Sequence, residues 1–339
     1  MDAADWASLS DEELLELRIS KLGLRLEGSA LAPLIRQLYD ELAAHGLIFR
    51  PPCHIGDEWF VPVGIPAIFL PFFLVHDRLR ALERTMMLEV EGGTAEWFMK
   101  LIRHEAAHAY SYVYQLPRKK KWQHTFGRTS RQETPDFYQP RPFSRSYVLH
   151  LDDWYAQSHP DEDFAETFAV WLTPNSLWAD RYKGWPVMRK LQYMDSLLKG
   201  LAGVPPVVTT TEQVDPLPML KRTLREHYAR KRGHYGVARS SSYDPDLKRL
   251  FSDDSVHGDK MSAAAFLNRF RREVRRKVAS WTGEYQYTID QVLEDMIERC
   301  RELRLRLPID EEQAKLDFTI LLTVHTMNYL RSGRHKVAV

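Results

Sequence analysis

Five consecutive residues, His104-Glu105-Ala106-Ala107-His108, combine two imidazoles and a carboxylate at the spacing HExxH. On a helix, positions i and i+4 lie one above the other on one face, so two imidazoles placed there converge on one tetrahedral zinc ion. Zinc lowers the pKa of water and polarises a carbonyl. Glu105, beside the pair, is close enough to take the proton. That is the chemistry of a metal-dependent hydrolase of peptide bonds. The flanks, 97–103 and 109–116, are apolar at helical spacing, which is the buried helical setting the motif requires. A bare HExxH arises by chance in roughly a few per cent of chains of this length. Two histidines satisfied in an ordinary core therefore remain the competing reading, and a third ligand has to decide.

Two third-ligand patterns are absent. A histidine six residues beyond the motif would fall on Tyr114, and the inverted HxxEH does not occur. What remains is a carboxylate from a later helix, and Asp161-Glu162-Asp163-Phe164-Ala165-Glu166 supplies several. Glu162 and Glu166 are four apart and share a face, beside a packing stripe of Phe164, Ala165, Phe168 and Trp171. A ligand and an outer hydrogen-bond acceptor would look like this pair. An acidic first turn that complements the helix dipole is the alternative; it accounts for Asp161, Glu162 and Asp163 better than for Glu166, one turn further in. Asp163, if not a ligand, is a candidate to hold the free N–H of a ligand histidine. His150 and His159 read as a loop histidine and a helix-start histidine. Tyr155, next to Trp154, reads on its own as an aromatic packing contact.

RHEAAHAY followed by DDWYAQSHPDEDFAETFAVWL resembles a bacterial family of zinc-binding metallopeptidases, over a stretch from about Glu58 to the segment NSLWADRYKGWP. The combination also looks like the site of the anthrax lethal factor class. There the third ligand is the first Glu of an E-x-F-A-E helix and a Tyr stands seven residues before it. The resemblance implies a zincin-like fold, a Zn2+ cofactor held by His104, His108 and Glu162, Glu166 as an outer partner, and Tyr155 as a donor to the transition state. Many members carry a cysteine-rich zinc ribbon ahead of this domain, and none can be read here.

Elements must position these groups. Ser10 and Glu13 form a capping box that opens a first helix, and a second runs from about Ala30 to Ala44 and stops near Gly46. Trp59–Val63 and Ile65–Val75, rich in β-branched and aromatic residues and broken by prolines, are the best strand candidates. Gly92-Gly93-Thr94 is a break and an N-cap for the HExxH helix, which Pro117 stops near Gln115. Pro117–Ser146 reads as a loop with a basic run at 118–121. Ser158, Pro160 and Asp161 open the carboxylate helix, which ends at Thr173-Pro174. The expected fold is α+β: a zincin-like catalytic domain over 1–200, with a small, partly antiparallel sheet from 59–75 over the active-site helix. A linker at 201–218 and a mostly helical C-terminal extension over 219–339 follow.

Composition narrows the class. The chain has 339 residues, enough for one large or two ordinary domains. Its 44% apolar and 27% charged fractions are those of a globular protein. Forty-seven basic against 46 acidic residues leave a net charge of +1, so nucleic-acid binding would have to rest on local patches. The strongest are 221–232 and 269–277. In the second, Phe266, Phe270, Val274, Val278 and Trp281 form a helical stripe, and pairing of its arginines with Glu294, Asp295, Glu298 and Glu302 is the favoured reading. Two distant cysteines, Cys53 and Cys300, and an acidic, polar N-terminus point to the cytoplasm. The longest apolar run, 65–75, is too short to span a bilayer, so no membrane partner is expected. The expected partner is a peptide or protein substrate. The alternatives are a zinc-stabilised binding protein without catalysis, or a nucleic-acid-binding regulator using the C-terminal basic helices.

Overall fold

The computed structural model describes residues 6–62, 64–130, 138, 140–152, 154–208, 217–235 and 243–331. A first short helix, α1 (Asp11–Leu15), carries the capping box: Ser10 Oγ accepts from the Glu13 amide while Glu13 Oε2 accepts from the Ser10 amide at 2.9 Å. Helix α2 (Leu31–Ala44) leads into strands β1 (Cys53–Gly56) and β2 (Ile68–Pro71). Helices α3 (Asp77–Met87), α4 (Ala95–Val113), α5 (Lys120–Phe126), α6 (Pro160–Leu172), α7 (Trp178–Arg181) and α8 (Met188–Lys199) follow. Then come α9 (Leu224–Tyr235), α10 (Asp244–Leu250), α11 (Ala263–Thr282), α12 (Gln286–Glu302) and α13 (Glu311–Arg331). Helices dominate and one small sheet accompanies them, an α+β arrangement in the coarse sense. Among the described residues no helix is long and apolar enough to cross a membrane.

The sheet departs from expectation. Its two strands are parallel, with Cys53 opposite Ile68 and Gly56 opposite Pro71. The antiparallel element is a single bridge between Phe60 and Phe69. Pro62 and Pro66 deny the segment after Trp59 the amides that a ladder needs, and Val63 lies outside the described residues. Strand β2 is buried at all four positions and packs on α4. A strand buried on both faces reads as a continuous apolar run, without alternation.

The described chain divides into two compact units, one of residues up to 86 with 90–230, the other of 87–89 with 231 onward. Of the expected linker, 209–216 lie outside the described residues. The segment after it is tied into the first unit: the Ile19 amide donates to Arg222 O at 3.1 Å, Ser20 to Leu220 O at 3.0 Å, and Leu224 to Leu17 O at 2.9 Å. Arg222 pairs with Asp57 at 2.6 Å, and Arg225 reaches both Glu12 and Glu16.

In the first unit α4 packs between α2 and α6, and Tyr110 meets Phe168 at 5.5 Å between ring centres. The expected loop 117–146 contains α5, and the basic run lies at its start. Trp122 is fully buried there, against Phe126 and Phe164. In the second unit Phe266, Val274 and Val278 of α11 join Ile289, Leu293 and Met296 of α12 and Phe318 and Leu322 of α13 in one core. Trp281 is not part of it. It is 77% exposed, and Thr282, four residues beyond Val278, takes the inward place.

Candidate metal centre

Helix α4 starts where Thr94 Oγ1 accepts from the Trp97 amide at 3.2 Å. Gly92 makes the turn before it with φ +70°, and a Cβ there would come within 2.9 Å of the Trp59 ring, so only glycine fits. Its 19 residues place His104 and His108 on one face. Helix α6 opens with Pro160 in its first turn, which needs no amide partner there. Its cap is His159, whose Nδ1 accepts from the Asp161 amide at 3.3 Å. Ser158, the expected opener, instead donates from Oγ to Tyr155 O. Across the packed helices α6 delivers Glu162 to the two imidazoles.

His104 Nε2 and Glu162 Oε2 lie 2.9 Å apart, His104 Nε2 and His108 Nε2 3.1 Å, and His108 Nε2 and Glu162 Oε2 3.4 Å. These three form the group of histidine and carboxylate side chains that could hold a metal ion among the described residues. A tetrahedral zinc with bonds of about 2.0–2.1 Å has ligand–ligand edges of about 3.3–3.4 Å, close to this triangle. The electrostatics ask for the same thing. Glu162 Oε2 is fully buried and receives no hydrogen bond of acceptable geometry. His104 Nδ1 lies 2.9 Å from Glu166 Oε1, so in the neutral imidazole its N–H donates there and Nε2 keeps a lone pair that a metal ion could take. Groups crowded together in this way ask for positive charge, which protons on the imidazoles or a metal ion in their place could supply. Burial would raise the Glu162 carboxyl, but His108 and His104 hold it well below the usual carboxylate range. Burial lowers His104, yet Glu162 and Glu166 outweigh it and push the imidazole up to about 10. His108 is the most exposed of the three, so the site opens at its edge. The residues present fit a zinc ion.

Glu166 is saturated as an outer partner, since its Oε2 accepts from the Leu151 amide at 2.8 Å. Glu105 is buried on α4, and burial, countered by His108 and His104, raises its carboxyl. The Tyr155 ring lies 5.9 Å from that of His104. Burial, with Glu162 and Glu105 next, pushes the phenol well above its ordinary value, so it remains a donor. Asp163 does not hold a histidine. It faces away, and its Oδ2 accepts from Lys190 Nζ of α8 at 2.7 Å. Burial pushes its carboxyl up to about 7 against the pull of Lys190. His150 is bonded through Nε2 to Lys100 O, and neither it nor His159 joins the triangle.

Three partners of this site carry no motif: Lys190, the Leu151 amide, and the Glu41 that holds Arg103. Arg103 precedes His104 and is buried; its Nε and one terminal nitrogen each donate to Glu41 of α2 at 2.7 Å, and Gln37 donates to the same carboxylate. An arginine inside an otherwise apolar stretch signals that a carboxylate must wait for it, although nothing in the sequence says which. Compared with protein-family models, curated proteins and solved structures, the chain matches none.

Proposed function

We propose that this chain is a zinc-dependent endopeptidase with a zincin-like catalytic unit. The observation that carries the reading is the convergence of His104 Nε2 and His108 Nε2, on the helix that also carries Glu105, with Glu162 Oε2 of α6, where no arginine or lysine among the described residues pairs with them. His104, His108 and Glu162 would hold the ion, which when bound supplies a water of lowered pKa and a polarised carbonyl. Glu105 takes the proton of the attacking water and passes it to the leaving amine. Tyr155 donates to the peptide oxygen as charge develops on it. Glu166 holds His104 in the tautomer that leaves Nε2 bare. Both cysteines are free, which fits work in the reducing cytosol.

Mass spectrometry of the purified protein beside His108→Ala tests the site. One zinc per chain that falls sharply in the variant is the expected result. A peptide library tests the reaction: wild type cleaves, and Glu105→Gln keeps its zinc and does not. Absence of zinc after reconstitution would return HExxH to the role of a core helix. Zinc without cleavage would leave a zinc-stabilised binding protein.

A further inference from the structure

Helix α11 carries its arginines in two rows of different fate. Arg271 and Arg275 turn toward α12, where Asp290 accepts from both at 2.6–2.8 Å and Glu294 from Arg271. Arg272 and Arg276, also four apart, line a groove of about 1250 Å³ between α11 and α13, and no carboxylate among the described residues pairs with them. The acids of this groove are engaged elsewhere. Glu273 and Glu312 both bond Lys315, and Asp310 accepts from the amides of Glu312 and Gln313. The groove therefore keeps a net positive wall.

Its other wall is mixed, with Leu316 among Asp310, Glu312, Gln313, Lys315 and Thr319. Helix α13 buries Ala314, Phe318, Leu322 and Thr326 at four-residue steps, and leaves Leu316, Ile320 and Val324 about half exposed at the same steps. A helix with two apolar rows has one more than its own core uses. The two helices run side by side in the same direction, since Arg269 pairs with Glu311 and Glu273 with Lys315, four residues further along each. The basic row thus meets the spare apolar row at Leu316, and Ile320 and Val324 continue that row along the surface of α13 beyond the groove. Arg272 to Trp281 is about 14 Å of helix, two to three turns. Trp281 stands exposed at the far end, with Lys277 over its ring.

We propose that this groove binds an acidic amphipathic helix of a partner protein. Its apolar residues, at steps of three and four, would lie on Leu316, Ile320 and Val324, and its carboxylates would face Arg272 and Arg276. A phosphate backbone would satisfy the arginines but make no use of Leu316 or of the aliphatic row that continues from it. A second copy meeting this face with its own would bring like-charged arginines together. The chain's own acidic, leucine-bearing helix, α1, has Leu14 and Leu15 buried in the first unit. The residues after Arg331 include Arg334, His335 and Lys336, the wrong charge for the basic wall.

The test uses the full chain and a fluorescein-labelled, hydrocarbon-stapled helical peptide with leucines at positions i, i+4, i+7 and i+11 and glutamates on the flanking positions. A scrambled peptide of the same composition and a duplex DNA probe serve as comparisons, all read by fluorescence polarisation. The expected result is binding of the patterned peptide only, weakened about tenfold or more by R272E/R276E and also by L316S/I320S. Both pairs are solvent-facing, so circular dichroism and the thermal midpoint should stay at wild-type values. No binding of the patterned peptide, or binding that neither variant pair weakens, would overturn the proposal. So would tighter binding of DNA that R272E/R276E abolishes and L316S/I320S leaves intact.

Discussion

Two charge clusters, one in each unit, are completed in opposite ways. In the second, Asp290 is answered from within: Arg271 and Arg275 surround it, and every oxygen they reach has a donor. In the first, His104, His108 and Glu162 are gathered as closely, but no arginine or lysine among the described residues pairs with them. A closed charge cluster is architecture, complete without a ligand. An open one is stable only if something else completes it. The contrast separates a fold-holding network from a candidate binding site without appeal to motif.

Substitutions at the open cluster should act on metal. His108→Ala or Glu162→Ala is expected to weaken zinc binding by more than about 100-fold, since even outer partners are worth 10–100-fold, as measured by competition with a chromogenic chelator. Glu166→Ala should cost less, in that 10–100-fold range. If Glu166→Ala costs more than Glu162→Ala, the ligand is Glu166. Glu105→Gln should lower turnover by about 10²–10⁴-fold with zinc retained, measured on any peptide that the wild type cleaves.

Substitutions at the closed cluster should act on stability alone. Asp290→Ala strands Arg275 and leaves Arg271 only Glu294, and should cost about 2–3 kcal/mol, toward the lower end for buried pairs because Arg271 is partly exposed. Amide exchange of α11 and α12 in urea would report it. Its pH dependence has a definite sign. Burial raises the Asp290 carboxyl, but Arg271 and Arg275 more than offset this and hold it below its ordinary value. The contribution is therefore full above the unfolded pKa of about 3.9 and fades as pH falls through the lower folded value. Asp290→Asn should flatten that acid limb. On the opposite side of α11, Arg272→Ala should change stability by no more than about 0.5 kcal/mol. A larger loss there would mean that another side chain of this protein already holds Arg272, which would take it out of the groove's positive wall.

Local signals were legible in the residues: the Ser10–Glu13 capping box, the Thr94 cap, and the two helices that carry His104, His108, Glu162 and Glu166. Each is encoded within a few positions along the chain. What escaped is encoded across the chain. Strand β1 is four residues long and is defined only by its partner fifteen positions on. Lys190, which claims Asp163, lies 27 residues away. The bonds that draw 220–224 into the first unit reach back to residues 17–20, past a segment whose composition reads as a linker. Trp281 shows the limit of periodicity itself. Steps of three and four both fit a helix, and only the neighbouring helices decide that Thr282 points inward.

The Arg103–Glu41 bond bears on how zinc would arrive. Adjacent residues of one helix are moored to different neighbours, Arg103 to α2 and His104 to α6, so α4 cannot turn about its axis without breaking one of them. Capture of the ion then asks for little ordering of the chain. Stripping it with a chelator should leave the far-ultraviolet spectrum and the amide protection of α4 nearly as they were, unlike small zinc modules that unravel when the metal leaves.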